Sequence, residues 1–348
     1  METLSLKGRD YIAEWDFTRH EIESIVDLGI ELKRQYAAGI PHENLKGKTF
    51  FMLFYNKSLR TRNSFEAGIY QLGGNGHYLT PEAVYMPAVE GDEVAFITER
   101  VSDVARVLSR MGHGIGIRVY GDLGGWVYPR GNEYIHEFAK WADIPVINME
   151  DDLFHQCQEI ADIMTMKEFI GPDLKGKKLV MSWAYSPSVK KPMAVAHSNV
   201  IGGTMLGMNV VLAHPKGFEL DPRVIKKAKE YSALYGGTFE ITHDMKEAFA
   251  GADVVYPKAW PCIENLPPIT KEPLHDKTKK LADENKHWIC DEKKMKLIKK
   301  TGIYMHCLPC DRGFEVTNAV ADGPQSVIFH QAENRLHGQK AIMNLIMR

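Results

Sequence analysis

The chain has 348 residues, of which 44% are hydrophobic and 25% are charged, and its formal net charge at pH 7 is -2. This composition is that of a globular protein large enough for two domains. The near-neutral charge argues against broad attraction to nucleic acid or to a membrane surface. No apolar run approaches the about 18 residues that a membrane span needs, and the segment Met1–Ser5 lacks the basic start of a signal peptide.

Strand-like runs alternate with segments of helical periodicity along almost the whole chain. The predicted strands are 49–55, 113–119, 144–149, 178–184, 208–213, 253–256, 302–306 and 326–329. The predicted helices include 93–111, 158–170, 190–207, 222–235 and a terminal helix at about 331–348. Such alternation is typical of parallel sheets with helices on both faces. We therefore predict an α/β fold with two doubly wound parallel-sheet domains.

A short internal repeat indicates two lobes of similar design. Leu45-Lys46-Gly47-Lys48 precedes the first strand and Leu174-Lys175-Gly176-Lys177 precedes a later one, and each strand is followed by a polar loop and a helix. A match of four residues can also arise by chance. We place the domain boundary near residue 150, and the terminal helix can pack with either lobe. Ligands of open α/β sheets bind beyond the carboxyl ends of the strands, so the predicted site is the cleft between the lobes.

The most informative motif lies where the first strand gives way to a helix, and it reads Ser58-Leu59-Arg60-Thr61-Arg62. The first N–H groups of a helix have no internal partner, and the helix dipole there favours an anion. Two guanidinium groups add charge and bidentate geometry suited to phosphate. The alternative is a solvated basic loop, but the hydroxyl groups and the strand–helix context favour a phosphate site.

Four further segments carry polar groups that could serve the same ligand. They are Arg118 at a strand end, His155-Gln156-Cys157-Gln158 at a helix start, His306-Cys307-Leu308-Pro309 after a strand, and Arg335 near the terminal helix. Each alone is an ordinary surface charge, cap or turn. Together they offer arginines, an imidazole and a carboxamide, which suit a small molecule with a phosphate and a carbonyl group. Catalysis would proceed by orientation and oxyanion stabilisation.

Other chemistries find less support. There is no Walker motif, and no G-x-G-x-x-G follows a strand, so we set aside an NAD-type dehydrogenase. The five cysteines are too sparse for a disulfide framework and indicate a reducing cytoplasm. Cys307 and Cys310 have C-x-x-C spacing without a second pair or a thioredoxin-like setting, so no metal site is predicted.

Four motifs stand in the order found in the aspartate/ornithine carbamoyltransferase family, and the resemblance covers about residues 10–348. They are Ser58–Arg62, His155–Gln158, His306–Pro309 and Ala332-Glu333-Asn334-Arg335. The runs Trp183-Ala184-Tyr185-Ser186-Pro187 through Lys191-Pro192 and Val255–Trp260 resemble the knotted branch, which includes N-acetylornithine carbamoyltransferase. That resemblance implies a trefoil knot in the C-terminal domain.

The resemblance implies transfer of the carbamoyl group of carbamoyl phosphate to the amine of an ornithine or N-acylornithine type of substrate, as in arginine biosynthesis. Residues 1–150 with 331–348 would bind carbamoyl phosphate, and residues 151–330 the amine. The implied carbamoyl phosphate ligands are Ser58, Leu59, Arg60, Thr61, Arg62, Arg118, His155, Gln158, Cys307, Leu308 and Arg335, among which Thr61, Arg118, His155 and Gln158 are catalytic. The family assembles as trimers, so segment 85–92 would reach a neighbouring subunit's site.

The sequence departs from the family pattern in two places. Gln156 stands where the family usually has proline, which motivates the alternative of a catalytically silent family member that binds carbamoyl phosphate or regulates a partner. Asp311 stands where acetylornithine enzymes carry an arginine, which either argues against a simple acetylornithine substrate or requires Arg312 to take over that role. The implied amine-binding residues are Glu150, Lys258, Asp311 and Arg312, and the resemblance allows Lys258 to be carboxylated.

Overall fold

The computed structural model describes residues 6–347, so the prediction made for Met1–Ser5 lies outside the described residues. The chain divides into two compact units. The first unit comprises the chain up to Gly125, Pro129–Ala161 and the chain from Glu333. The second comprises Trp126–Tyr128 and Asp162–Ala332.

Strands and helices alternate within the described residues. The strands are β1 (Thr49–Phe54), β2 (Asn75–Leu79), β3 (Met86–Ala88), β4 (Thr98–Arg100), β5 (Gly114–Arg118), β6 (Val146–Glu150), β7 (Lys178–Trp183), β8 (Asn209–Ala213), β9 (Thr238–Thr242), β10 (Val254–Lys258) and β11 (Ile303–Tyr304). The helices are α1 (Arg19–Ala37), α2 (Leu59–Gln71), α3 (Val101–Ser109), α4 (Arg130–Trp141), α5 (Gln156–Ile170), α6 (Ala194–Met205), α7 (Pro222–Tyr235), α8 (Met245–Phe249), α9 (His275–Asp283), α10 (Glu292–Met295), α11 (Asn318–Ala321) and α12 (Ile328–Met347).

Each unit is built on a parallel sheet. The first sheet has the order β2-β1-β5-β6, and the second has the order β11-β10-β7-β8-β9. Every pairing in the two sheets is parallel. The predicted α/β class with parallel sheets in two domains is therefore confirmed. The trefoil knot stays a prediction.

The internal repeat seen in the sequence has a structural counterpart in the turns that precede β1 and β7. Gly47 and Gly176 both adopt the left-handed backbone region, with φ of +74° and +72°. The N–H of Gly47 donates to the carbonyl of Gly73 at 3.2 Å, and the N–H of Gly176 donates to that of Gly207 at 2.9 Å. Gly73 and Gly207 also have positive φ and lie between a helix and the next strand. Glycine reaches this backbone region at no steric cost, so both halves use the same turn.

Apolar strand and helix faces explain why these segments fold as they do in the first unit. Leu53 of β1 and Ile115 and Ile117 of β5 are fully buried together with Ile135 and Phe138 of α4. Removal of this apolar surface from water is the main favourable term for the unit. No helix of the described chain is long and apolar enough to cross a bilayer.

Two sequence-based assignments differ from the structure. The strand predicted at 326–329 is wrong, because Ile328 begins α12 and Ser326 makes only an isolated bridge with Tyr304. Ile328, Gln331 and Arg335 are buried while Phe329 is 67% exposed, and this spacing of three and four residues is that of one helix face. The helix predicted at 93–111 is shorter in the structure, where α3 spans Val101–Ser109 and β4 directly precedes it.

Candidate active site

The Ser58–Arg62 motif forms the start of α2, directly after β1. Ser58 has an extended backbone and caps the helix, because its hydroxyl accepts a hydrogen bond from the N–H of Thr61 at 3.2 Å. Serine is among the preferred residues for this position. Leu59 is 72% exposed, while the guanidinium of Arg62 donates to Glu66 at 3.1 Å and stacks over the ring of Tyr78 at 3.8 Å. The motif thus sits at a helix N-terminus, where an anion is favoured.

Arg335 joins three segments of the first unit. Its Nη2 donates to the hydroxyl of Thr61 at 2.9 Å, and its Nη1 donates to Oε1 of Gln158 at 2.7 Å. The arginine is only 2% exposed. Its fixed fork therefore sets the spacing between α2, α5 and α12 at this point.

Arg118, Glu150 and His155 form a second group in the same unit. Arg118 and Glu150 end the neighbouring strands β5 and β6, and they form a buried ion pair. The Nε2 atom of His155 lies 3.3 Å from the same Glu150 carboxylate. Arg118 also donates to the hydroxyl of Tyr120 at 3.1 Å. Glu150, predicted to line the amine pocket, thus contacts the residues predicted to hold the carbonyl oxygen.

The electrostatics of this group keep the imidazole neutral. Burial lowers the pKa of His155 well below its usual value, and the positive charges of Arg335, Arg118 and Arg60 lower it further. Burial also works against the charge of Arg118, but Glu150 and Tyr120 together more than offset it, and the pKa of Arg118 is raised. A neutral imidazole beside fixed guanidinium groups can donate to a developing oxyanion without carrying charge itself.

Gln156 has a defined role in place of the family's usual proline. It is fully buried at the start of α5, and its Nε2 donates to the backbone carbonyl of Tyr11 at 2.8 Å. The cis peptide bonds of the described chain precede Pro268 and Pro309, so the bond before Gln156 is trans. In place of the rigid proline ring, this chain therefore has a side-chain hydrogen bond from Gln156 to the N-terminal segment.

The second unit holds its own cluster of charged residues around Glu315. The Glu315 carboxylate lies 3.4 Å from Nε2 of His306, 3.5 Å from Nζ of Lys191 and 3.9 Å from Nζ of Lys258. It also accepts hydrogen bonds from the backbone N–H groups of Ala259 and Asp311, both at 2.7 Å.

These contacts fix the charge states inside the cluster. Burial alone would raise the pKa of Glu315, but His306, Lys258 and Lys191 hold it well below its usual value, so the carboxylate is ionised. Burial lowers the pKa of His306. Its Nδ1 accepts from the N–H of Leu308 at 2.9 Å, which leaves the proton of a neutral ring on Nε2, facing Glu315.

Asp311 and Arg312 lie at the edge of this cluster and differ in their partners. Asp311 accepts from the hydroxyl of Ser186 and from Nζ of Lys191, both at 2.5 Å. Arg312 instead pairs with Asp322, at 2.5 and 2.7 Å. To bind a substrate carboxylate, Arg312 would have to leave that ion pair.

The structure thus groups the predicted residues into two sets. Within the first unit, contacts join Thr61 to Arg335 and Gln158, and Arg118 to Glu150 and His155. Within the second unit, Lys258 and Asp311 contact the Glu315 cluster, and Cys307 and Leu308 follow His306. Sequence reasoning missed Glu315 and Lys191, although both lie in polar loops that follow predicted strands. No group of three or more His, Cys, Asp or Glu side chains within residues 6–347 is arranged to hold a metal ion.

Open α/β sheets bind ligands beyond the carboxyl ends of their strands, and helix N-termini bind anions. The carbamoyl-P binding domain profile of the aspartate/ornithine carbamoyltransferases matches residues 9–168, and their Asp/Orn binding domain profile matches residues 190–346. An ornithine carbamoyltransferase of Thermococcus kodakarensis is 41% identical, over 99% of this chain and 98% of its own. An N-acetylornithine carbamoyltransferase of Xanthomonas campestris is 38% identical, over 98% and 97%.

Solved structures give the same result. An acetylornithine transcarbamylase complexed with acetylcitrulline superposes with a TM-score of 0.89 at 36% identity, covering 98% of this chain and 99% of the other. The ornithine carbamoyltransferase from Pyrococcus furiosus gives a TM-score of 0.83 at 37% identity, covering 99% of both. The chain belongs to the aspartate/ornithine carbamoyltransferase family, and it is a carbamoyltransferase.

Proposed function

We propose that this enzyme transfers the carbamoyl group of carbamoyl phosphate to the amine of ornithine or an N-acylornithine, and releases phosphate. The observation that carries the proposal is the bridge that Arg335 makes from Thr61 to Gln158. One guanidinium thereby links the phosphate-type motif of α2 to the carboxamide of α5. In a cell, this reaction would serve arginine biosynthesis in the cytoplasm.

The residues of the first unit divide the donor substrate between them. The phosphate would be bound by the start of α2, through Ser58, Leu59, Arg60, Thr61 and Arg62. Arg118, His155 and Thr61 would surround the carbonyl oxygen, and Oε1 of Gln158 would accept from the carbamoyl NH2. A carbonyl oxygen has two lone pairs, so Gln158 can keep its bond from Arg335 while it does so. The Cys307 and Leu308 backbone and Arg335 would complete the set.

The reaction needs no cofactor. The unprotonated amine attacks the carbamoyl carbon, a C–N bond forms, and negative charge develops on the carbonyl oxygen. Arg118 and the neutral His155 stabilise that charge because their positions are fixed in advance. The C–O bond to phosphate then breaks, and the attacking nitrogen passes one proton to the leaving phosphate. Because only the free amine reacts, the rate should rise with pH near neutrality.

The acceptor would be held by Glu150, Lys258, Asp311 and Arg312. Lys258 faces the Glu315 carboxylate and donates to the carbonyl of Ala259 at 3.1 Å. A carboxylated Lys258 would be an anion set against Glu315, so this geometry favours the unmodified ammonium. Asp311 is anionic and tied to Lys191, which favours an acceptor group that donates hydrogen bonds at this position.

The resemblance to the family also supports a homotrimer with shared sites, in which residues 85–92 reach a neighbouring subunit. The residues that follow this segment are also exposed: Phe96 is 94% exposed and has a φ of +61°. Mass measurement in solution would test the trimer. The trefoil knot in the C-terminal domain is part of the same proposal.

The experiment that tests the function is a ureido-product assay. Purified enzyme and carbamoyl phosphate are incubated with ornithine, N-acetylornithine, putrescine or diaminopropionate. We expect a ureido product from ornithine or from N-acetylornithine. The absence of product with every amine, together with intact carbamoyl phosphate binding, would support the silent alternative, for which the comparisons give no support.

A further inference from the structure

A surface cavity of about 710 Å³ lies in the second unit, outside the Glu315 cluster. Its walls come from the turn that precedes α8 and from the segment between α9 and the end of α10. Five basic side chains line it, of which four are exposed and Lys294 is buried; the exposed ones are His243, Lys246, His287 and Lys293. The proposed reaction uses none of these residues.

The acidic side chains of this cavity are occupied by the protein itself. Asp244 caps α8 by accepting from the N–H groups of Lys246 and Glu247, at 2.7 and 3.2 Å. Asp291 caps α10 by accepting from the N–H of Lys294 at 2.8 Å, and it also contacts Nζ of Lys294 at 3.3 Å. Lys294 therefore balances the charge of Asp291, while Asp244 is hydrogen-bonded to backbone N–H groups and keeps its negative charge.

The two exposed lysines are not balanced in this way. Within residues 6–347, the ammonium groups of Lys246 and Lys293 take part in no ion pair and no hydrogen bond. Nδ1 of His243 lies 2.7 Å from the carbonyl oxygen of His214. Because a carbonyl oxygen can only accept, Nδ1 carries the proton and donates it. Its Nε2 is then the atom that a ligand can use. The cavity consequently carries an excess of positive charge.

The same cavity has an apolar part. Leu297 is 38% exposed and Ile289 is partly exposed, and Trp288 and Met245 form the buried wall behind them. This apolar lining favours an apolar ligand body, while the lysines favour an anionic head. We propose that this cavity is a binding site for a small organic anion with a carboxylate or phosphate group and an apolar body.

The wall of the cavity also supports two loops of the proposed acceptor site, 185–192 and 306–317, which we call the acceptor loops. The carbonyl of Trp288 accepts from the N–H of Tyr185 at 2.8 Å, at the start of loop 185–192. Cys290 donates its N–H to the carbonyl of Glu315 at 2.9 Å and accepts from Thr317 at 3.1 Å. A ligand that shifts segment 287–291 would therefore shift both loops. The site is thus an effector site that changes acceptor binding, a step that rests on the proposed function.

Binding is tested first, with benzoate and phenyl phosphate as probes in isothermal titration calorimetry on the full chain. The wild type is compared with the double variant Lys246→Gln/Lys293→Gln. The matched control is Lys277→Gln/Lys280→Gln, which removes the same charge from exposed lysines of α9. We expect at least a tenfold weaker affinity in the cavity variant and an unchanged affinity in the control. Equal affinity in all three proteins, or no binding in the millimolar range, would overturn the site.

The effector role is tested by the acceptor KM with and without benzoate. We expect a change of threefold or more in the wild type and in the control, and no change in the cavity variant, whose KM without benzoate stays at the wild-type value. Binding that is lost in the cavity variant without any effect on the wild-type acceptor KM would overturn the effector role. The calorimetry does not depend on turnover, so a failure of the proposed function remains distinguishable.

Discussion

Arg335 and Thr61 are separated by 274 positions in the chain, yet Nη2 of the arginine lies 2.9 Å from the threonine hydroxyl. The same guanidinium holds Gln158 through its other terminal nitrogen. Burial lowers the pKa of Arg335, and an arginine side chain keeps its proton in proteins. The charged guanidinium of Arg335 thus has two fixed partners. In the proposed function, Thr61 contacts the phosphate and Gln158 contacts the carbamoyl nitrogen.

Replacing Arg335 with lysine tests this relationship. Lysine keeps the charge, but a compact ammonium cannot donate to Thr61 and Gln158 at the spacing of the guanidinium fork. We expect kcat/KM for carbamoyl phosphate to fall by about 10²-fold, and the free energy of unfolding to fall by about 1–3 kcal/mol because a buried partner is left unsatisfied. Steady-state kinetics and urea denaturation measure the two effects. The exposed Arg34→Lys change should alter neither, and an Arg335→Lys enzyme of near wild-type activity would refute the assignment.

Gln156 offers a direct test of the silent alternative. A Gln156→Pro change restores the usual family residue at the first position of α5, where proline is tolerated. It removes the side-chain bond to the carbonyl of Tyr11, so we expect a loss of about 1–3 kcal/mol in the free energy of unfolding. The wild type should already be active, and the variant should be no faster. If the wild type were inactive and the proline variant active, the alternative would be correct.

The fold class and the donor motif could be predicted because they depend on local patterns. The Ser58–Arg62 motif combines a helix cap with arginines, and the apolar residues that precede it predict that it follows a strand. The strand predicted at 326–329 failed because three consecutive apolar residues are also compatible with a helix start. Edge strands such as β9, whose side chains are mostly exposed, carry little apolar signal.

The Glu315 cluster could not be predicted, because it depends on contacts between loops far apart in the sequence. Lys191 lies 124 positions before Glu315, and neither spacing nor periodicity connects them. The sequence also could not show that the Arg312 side chain pairs with Asp322, which leaves it engaged before any acceptor binds. Those pairings are set by tertiary structure, so a resemblance can name the loops without giving their partners.

His337 on α12 predicts a pH dependence of stability. Its ring is fully buried, and burial together with Lys340 lowers its pKa to about 3. In the unfolded chain the value is about 6.5, so the unfolded state binds one more proton between these values and stability is lost as the pH falls below about 6.5. A His337→Leu variant lacks this proton. As the pH falls from 6 to 5, the wild type should lose up to about 1.4 kcal/mol of unfolding free energy that the variant keeps.

Urea denaturation at several pH values measures this difference, and the exposed His20→Leu variant is the matched control. The control should run parallel to the wild type across the same range. A His337→Leu variant that also runs parallel would show that the buried ring is protonated in the folded state.

Glu315 supplies the last prediction, a separation between the two substrates. Its ionised carboxylate is surrounded by Lys191, Lys258 and His306. A Glu315→Gln change removes the buried carboxylate that Lys258 and Lys191 share, while Lys191 keeps Asp311. Loss of one member of a buried charge cluster is strongly destabilising, by about 3–5 kcal/mol, and it lets Lys258 change position. We expect the acceptor KM to rise by at least tenfold, while the KM for carbamoyl phosphate changes little because its main ligands belong to the first unit. Glu315→Asp keeps the charge and should recover part of the acceptor binding. Equal losses for both substrates would instead show that Glu315 acts only through the stability of the protein.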